Sequence, residues 1–226
     1  MLGELLAGNM GFMDVIVYIV SSLVVIFLTL PVHEYAHALI AVKLGDNTPR
    51  WQGRLSFDPF AHIDWLGALC ILAFGFGWAK PVQINMNNFR NPKRDMALTA
   101  LAGPVSNLLM ALLSLVCNNA CILLTGSANS QVMMYIGFFF FYVASINVSL
   151  AVFNFIPIPP LDGSRLLSAL LPNRYYYKLM QYERIFFFAL LGLLWIGALD
   201  IPLRFLTGLL MRGISFLASL PFRLIP

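Results

Sequence analysis

Charged side chains are scarce in this sequence of 226 residues. Only 11% of the residues are charged and 60% are hydrophobic, whereas a soluble domain normally carries about 25% charged residues. The mean hydropathy of +0.81 agrees with this composition. So little polar surface excludes an ordinary soluble enzyme and favours a protein embedded in a lipid bilayer.

Cysteine and histidine are also rare, with three residues of each. The cysteines (Cys70, Cys117 and Cys121) lie in apolar segments and form no CxxC pair, which argues against disulfides and against cysteine metal ligands. The net charge is +4, but the basic residues form no stripe interleaved with aromatic side chains. We therefore expect no nucleic-acid partner.

Long apolar stretches predict an α-helical integral membrane protein with about four to six membrane-embedded helices, since about 20 apolar residues cross a bilayer. The first stretch lacks the charged start and cleavage site of a signal peptide, so we expect it to remain as an anchor. We expect one membrane-embedded domain over residues 1–226, and the sequence carries no signal for an oligomeric state. The expected spans are 15–42, 96–124, 132–156 and 184–200, while 203–222 either crosses or lies in the interface.

The segment between the first two spans is polar by the standards of this chain. The stretches 50–57 and 81–88 alternate loosely between apolar and polar residues, which predicts short strands. The apolar stretch 66–79 is interrupted by glycines and is too short to cross. The sequence therefore predicts a small β-hairpin or re-entrant element near residues 50–90.

The distribution of lysine and arginine predicts the orientation. Most of them lie in the loops 43–95 and 157–184, and the connection 125–131 has none. Because positively charged loops stay in the cytoplasm, we expect both basic loops there and the N-terminus outside.

Residues His33-Glu34-Tyr35-Ala36-His37 form the motif H-E-x-x-H. On a helix, residues i and i+4 share a face, so two imidazoles reach one Zn²⁺ ion while Glu34 lies beside them to take a proton from water. Such a match in a soluble helix is often accidental. This one lies inside an apolar span, where each ionisable group costs roughly 2.5–3.5 kcal/mol and usually marks function.

A catalytic zinc ion needs a third protein ligand and an open position. Asp162 is the candidate, because it interrupts a long uncharged run and follows a span that ends on the same side as the first one. It can therefore meet His33 and His37 in one leaflet. The alternative is an ordinary loop aspartate that caps the following helix.

With these motifs the sequence resembles the site-2 protease family of intramembrane zinc metalloproteases. Three stretches carry the resemblance: H-E-Y-A-H at 33–37, G-P-V-S-N at 103–107, and N-F-I-P-I-P-P-L-D-G at 154–163. It extends over about residues 20–170. The stretches 53–64 and 77–91 also resemble the short bacterial branch, and no PDZ or CBS domain is recognisable.

The resemblance implies His33, His37 and Asp162 as zinc ligands and Glu34 as general base. It also implies hydrolysis of peptide bonds in transmembrane protein substrates, within the lipid bilayer of the cell membrane and toward its cytoplasmic side.

Two asparagines, Asn107 and Asn154, lie within predicted spans. We predict that they hydrogen-bond the substrate backbone or the developing oxyanion. Interhelical hydrogen bonds are the alternative, since asparagine often joins membrane helices.

Two further functions compete with this interpretation. In other membrane H-E-x-x-H proteases a later glutamate is the third ligand, and Glu183 is the available residue. A membrane zinc carrier or scaffold without protease activity is the non-enzymatic alternative. A carrier would need metal ligands along a path through several spans, and the sequence shows no such path.

Overall fold

The computed structural model describes residues 11–74, 77–125 and 130–224. One π-helical turn, Val25–Thr29, joins the first two α-helices, and Met86–Asn88 and Leu220–Leu224 are 3-10 turns. The α-helices of the described residues are α1 (Phe12–Val24), α2 (Leu30–Lys43), α3 (Thr48–Trp51), α4 (Pro59–His62), α5 (Trp65–Phe74), α6 (Pro92–Thr125), α7 (Gln131–Asn154), α8 (Asp162–Leu170), α9 (Asn173–Gln181), α10 (Glu183–Trp195) and α11 (Asp200–Ser219).

Four helical segments in the described part of the chain are long and apolar enough to cross a membrane, as expected of a multi-pass membrane protein. They are Phe12–Lys43, Pro92–Thr125, Gln131–Asn154 and Asp200–Arg223. The stretch 203–222 therefore lies in a helical segment that is long enough to be a span. The span predicted at 184–200 is instead α10, whose 13 residues fall short of the about 20 needed. The connection predicted near 125–131 lies mostly outside the described residues.

The β-hairpin predicted near residues 50–90 is wrong for the part of that loop that the structure describes, which contains no strand. The first stretch begins in the short helix α3, and the second has no strand partner and ends in the 3-10 turn Met86–Asn88. The N–H groups of Val82 and Asn85 donate to the carboxylates of Glu34 and Asp46, at 3.0 and 2.7 Å. Carboxylates thus take the place of the backbone carbonyls of a neighbouring strand.

Helix α6 is central, and α2, α7, α8 and α11 all pack against it. Lipid offers no hydrophobic driving force between helices, so close approach of the backbones and polar contacts hold such helices together. The buried faces accordingly carry small side chains. Those that expose 1% or less include Ala38 and Ala41 on α2, Ala100 and Ala111 on α6, and Ala144 and Ala151 on α7.

Gly45 ends α2 with a backbone φ of +117°. In this left-handed turn Gly45 N donates to Val42 O and Asp46 N donates to Ala41 O, the hydrogen-bond pattern of a Schellman cap. A side chain at Gly45 would be strained, because only glycine adopts such a φ without cost. The cap turns the chain back so that Asp46 is buried beside α2.

Candidate metal centre

Helix α2 carries the two histidines of the motif on one buried face. His33 and His37 expose only 4% and 3% of their surface. They lie one helical turn apart, so both rings point the same way, toward α6. The imidazole pair is thus held in the interior of the helical bundle.

Asp162 reaches these rings from the loop after α7. Proline residues end α7, because proline cannot continue a regular helix, and α8 begins at Asp162. At Gly163 a Cβ atom would lie 2.5 Å from the carbonyl oxygens of Phe155 and Ile156. Only glycine therefore lets the loop fold back tightly enough to place Asp162 against α2.

Three ligand atoms converge at this point. The Nε2 atoms of His33 and His37 lie 3.1 Å apart, and Oδ2 of Asp162 lies 3.3 Å from the first and 3.1 Å from the second. Two ligands of a tetrahedral zinc ion, bonded at about 2.0–2.1 Å, are about 3.3 Å apart. In the described chain this is the one group of three such side chains that could hold a metal ion.

The hydrogen bonding of His37 fits a cation between these atoms. Its Nδ1 lies 2.7 Å from the carbonyl oxygen of Thr99, which only accepts, so Nδ1 carries the hydrogen. In the neutral ring Nε2 then presents a lone pair to His33 and to the carboxylate of Asp162. A metal ion would bind all three donors, and such a carbonyl partner is typical behind metal-bound histidine.

The charge state of Asp162 fits the same role. Burial acts to raise the pKa of this carboxyl, but His37 and His33 in their protonated forms outweigh it through their charges and hydrogen bonds and hold the pKa below its ordinary value; a metal cation bound between neutral rings would act in the same direction. The side chain is therefore an ionised oxygen donor, which is the form that a metal binds.

Gly103 on α6 makes room for the imidazole pair. A Cβ atom at this position would lie 2.2 Å from Nε2 of His37 and 2.5 and 2.6 Å from Cε1 and Nε2 of His33. Any side chain would therefore occupy the space of the ligand atoms.

Glu34 lies beside the three ligand atoms and exposes 6% of its surface. Its Oε2 accepts a hydrogen bond from the backbone N–H of Val82, in the extended stretch before Met86–Asn88. This bond fixes the carboxylate and brings the extended stretch against the site.

A cavity of about 270 Å³ opens in front of these residues. His33, Glu34, His37 and Asp162 form part of its wall, and most of the remaining wall is apolar. The apolar residues come from several elements: Leu30, Trp78, Ala79, Leu150, Phe153, Phe187, Leu190, Leu191 and Leu194. The cavity thus combines a polar end with a lining suited to an apolar polypeptide segment.

The structure separates the two asparagines predicted to contact substrate. Asn154 lines the cavity, and its Nδ2 donates to Leu150 O of its own helix at 3.0 Å. Asn107 is fully buried and is not among the residues of the cavity wall. Of the pair, only Asn154 is placed to contact a molecule in the cavity.

The alternative third ligand, Glu183, and the third histidine of the chain, His62, lie apart from the three ligands. Glu183, the alternative third ligand, lines the same cavity but is exposed and is not part of the metal group. His62 is fully buried in α4, where its Nε2 lies 2.8 Å from the carbonyl oxygen of Ser56.

Comparison with known proteins identifies the family of the chain. The family model described as peptidase family M50 matches residues 120–196, which include Asn154 and Asp162. The Bacillus subtilis protein YwhC, named as a zinc metalloprotease, is 36% identical over 179 residues, covering 78% of this chain and 79% of YwhC. The chain belongs to peptidase family M50.

Two relatives of lower identity also carry zinc metalloprotease names. A Methanocaldococcus jannaschii protein is 30% identical over 60% of this chain and 63% of its own length. Rip2 of Mycolicibacterium smegmatis is 28% identical over 60% of this chain and 51% of its own length. No solved structure matches the chain significantly. The predicted site-2 protease family, the metalloprotease class and zinc as the cofactor are confirmed at the level of the M50 family, whereas the role of each residue stays a prediction.

Two contacts in this site could not be predicted from residue types. Thr99 and Val82 contribute a backbone carbonyl and a backbone N–H, and backbone groups leave no signature in residue type. Gly103 was visible in the sequence as the start of the G-P-V-S-N stretch, but only the packing of α6 against α2 shows why glycine is needed there.

Proposed function

We propose that this protein is an intramembrane zinc endopeptidase that hydrolyses peptide bonds within or near transmembrane segments of other proteins. His33, His37 and Asp162 would hold the zinc ion, in one membrane-embedded domain. The observation that carries the proposal is the convergence of the three ligand atoms beside Glu34, at the wall of a mostly apolar cavity.

The chemistry divides between the metal and Glu34. Zinc, when bound, supplies a Lewis acid that acidifies water and polarises the substrate carbonyl. Glu34 takes a proton from the water molecule as the water oxygen attacks the carbonyl carbon. Glu34 then donates that proton to the amide nitrogen as the C–N bond breaks. Its hydrogen bond from Val82 holds the carboxylate in place for both transfers.

Asn154 is the remaining polar side chain that we assign to this reaction. One of its amide hydrogens is used by Leu150 O, and the other hydrogen and Oδ1 remain for a ligand. We propose that Asn154 hydrogen-bonds the substrate backbone or the oxygen on which negative charge develops.

A substrate helix must unwind before it is cut, because its peptide bonds are hydrogen-bonded along the helix. We propose that the extended stretch around residues 81–85 receives the unwound segment by strand addition. It lies next to Glu34 and, in the part of the chain that the structure describes, it pairs with no strand.

The positive-inside rule places this chemistry toward the cytoplasm. The span Phe12–Lys43 ends in the basic loop 43–95, and α7 ends just before the basic loop 157–184. We propose that both loops are cytoplasmic, so that the metal site lies in the cytoplasmic half of the bilayer.

The first test is the zinc content of the purified protein and of two variants. We expect one tightly held zinc ion per chain in the wild type and in Glu183→Ala, and its loss from Asp162→Ala. Glu183 is the matched control because it lines the same cavity. Loss from Glu183→Ala alone would move the protein to the class that uses a glutamate ligand. A wild type that binds zinc without cleaving any membrane substrate would favour a carrier or scaffold.

A further inference from the structure

Three fully buried polar side chains belong to elements near His33, and none of them lines the cavity. Thr29, Asn107 and Asn147 each expose 0% of their surface, and they come from the π-helical turn, α6 and α7. Nδ2 of Asn147 donates to Val143 O at 2.8 Å and lies 3.5 Å from Oγ1 of Thr29. Three polar side chains at this depth in candidate spans call for an explanation, since buried polar groups in lipid are costly.

The packing of α6 against α2 orders these side chains relative to the metal ligands. Nδ1 of His37 meets Thr99 O, and a Cβ atom at Gly103 would meet both His37 and His33, so the N-terminal direction on α2 runs toward the C-terminus of α6. Residues four apart share a helix face. Asn107 therefore follows Thr99 and Gly103 on the face of α6 that packs against α2.

Several atoms in this region lack a hydrogen-bond partner among the described residues. They are both side-chain atoms of Asn107, Oδ1 of Asn147 and Nδ1 of His33. The Cε1–Nε2 edge of His33 faces Gly103, and Nδ1 is the other ring neighbour of Cε1. A nitrogen of the histidine and both polar atoms of the asparagine are thus buried without a partner on two helices that pack together.

The two histidines differ in how their outer nitrogens are held. His37 has the carbonyl of Thr99 at 2.7 Å, which fixes its tautomer and ring orientation. His33 needs an equivalent acceptor, because the hydrogen must be on Nδ1 for Nε2 to bind a metal. Asn107, one turn along α6 from Gly103, is a fully buried polar side chain on the same face of the helix.

We propose that Asn107 is a positioning residue for His33 and acts through one ordered water molecule. The water accepts the hydrogen bond of His33 Nδ1 and donates to Asn107 Oδ1, with the Thr29–Asn147 pair as the far wall of the site. A buried water typically makes about three hydrogen bonds, which these groups supply. This inference rests on the proposed zinc site, and it gives Asn107 a role other than the substrate contact predicted from the sequence.

The test compares the zinc affinity of Asn107→Leu with that of Asn119→Leu, measured by competition with a chelator. Asn119 is the matched control, because it lies on the same helix and donates an interhelical bond to Ala218 O at 3.1 Å, far from the site. We expect zinc to bind about 10- to 100-fold more weakly in Asn107→Leu and within twofold of the wild type in Asn119→Leu. Replacing zinc with Co²⁺ should show an altered visible absorption spectrum in Asn107→Leu alone.

Two further variants test the inference in case Asn107→Leu does not fold. Thr29→Val keeps the shape of the side chain and removes the hydroxyl, so it should weaken zinc binding in the same direction. Asn107→Ser keeps a polar group with room for water and should recover most of the affinity that leucine loses.

Each outcome has one meaning. Unchanged zinc affinity and an unchanged cobalt spectrum in folded Asn107→Leu would overturn the positioning role, and so would equal losses in Asn107→Leu and Asn119→Leu. If the wild type itself binds no zinc, the proposed function fails first. If the wild type binds zinc, Asp162→Ala loses it and Asn107→Leu keeps the wild-type affinity, only this inference fails.

Discussion

Glu34 is the side chain on which the proposed proton transfers depend. We expect Glu34→Gln to lower cleavage by about 10²- to 10⁴-fold, because glutamine keeps the shape of the side chain but does not accept the proton of water. Zinc content should stay at the wild-type level, since Glu34 is not one of the three converging ligands. The measurement is cleavage of single-span substrate proteins in proteoliposomes, with zinc determined on the same samples.

The matched control for that experiment is Glu183→Gln, which changes the other glutamate on the cavity wall. It should leave the chemical step intact. An active Glu34→Gln enzyme would rule out Glu34 as the base.

Gly103 tests the fit of the imidazole pair against α6. Alanine normally favours a helix over glycine by about 1 kcal/mol, yet at this position its Cβ atom would lie 2.2 Å from Nε2 of His37. We therefore expect Gly103→Ala to lose zinc and activity while the helices remain folded. Zinc analysis together with circular dichroism checks both halves of the expectation.

Gly208→Ala is the control for Gly103, because a Cβ atom at Gly208 of α11 would meet no other atom within 4 Å. Full zinc occupancy in Gly103→Ala would show that the ring positions differ from those described.

The residue types predicted the three converging side chains but not the groups that support them. The spacing of His33 and His37, and Asp162 as the charge that ends a long apolar run, were sufficient to predict three side chains that do converge. Asn107 was assigned to the substrate because a polar residue in a span attracts a functional interpretation. Its separation from the cavity follows from the rotation of α6 about its axis, which a weakly amphipathic sequence does not define.

The extended stretch before Met86–Asn88 is tethered by Asp46. This carboxylate accepts hydrogen bonds from Asn85 N and Asn88 Nδ2, at 2.7 and 2.8 Å, and from the backbone and hydroxyl of Thr48. Removing it leaves those donors without an acceptor, at about 1–3 kcal/mol for each one that stays buried. We expect Asp46→Ala to speed hydrogen exchange in residues 82–88 and to raise KM more than it lowers kcat.

Asp58→Ala is the control, because Asp58 is exposed and its side chain caps only the short helix α4 through Phe60 N. Unchanged exchange in residues 82–88 of Asp46→Ala would show that the tether does not hold that stretch.

The stabilisation that the Asp46 carboxylate contributes should decrease as the pH falls. Burial acts to raise the pKa of Asp46, but hydrogen bonds from Thr48, Asn88 and Asn85 outweigh it and hold the pKa below its ordinary value. The stabilisation is therefore present above the ordinary carboxyl pKa and is lost as the pH falls through the lowered one. We expect the difference in unfolding free energy between wild type and Asp46→Ala to be constant near neutral pH and to shrink in acid. A difference that grows in acid would contradict this assignment.

The helices were predictable from apolar length, whereas the loop between the first two spans was not. Alternation of apolar and polar residues signals a strand only when a second strand satisfies its backbone groups. Here the side chains of Glu34 and Asp46 do so, and these residues are remote in sequence from the stretch that they bind. The end of α10 was also not predictable. The apolar composition of 184–200 predicted a span, but the helix ends at Trp195.

The molecule as a whole brings its metal site and its two basic loops to one end. The site lies where α2 approaches Lys43, where α6 begins and where α7 gives way to Asp162. An intramembrane protease needs water at its metal, and a site near one face of the bilayer shortens the path from bulk water. The proposed orientation and the proposed chemistry are therefore coupled.

The orientation can be tested by labelling single cysteines in a variant in which the three native cysteines are replaced. Gln52 lies exposed after α3 in the first basic loop, and Gln131 lies exposed at the start of α7. Because basic loops stay in the cytoplasm, a membrane-impermeant maleimide should label Gln131→Cys in intact cells and Gln52→Cys only after the membrane is opened. The reverse pattern would place the metal site in the outer half of the bilayer, where cytoplasmic substrate segments do not reach it.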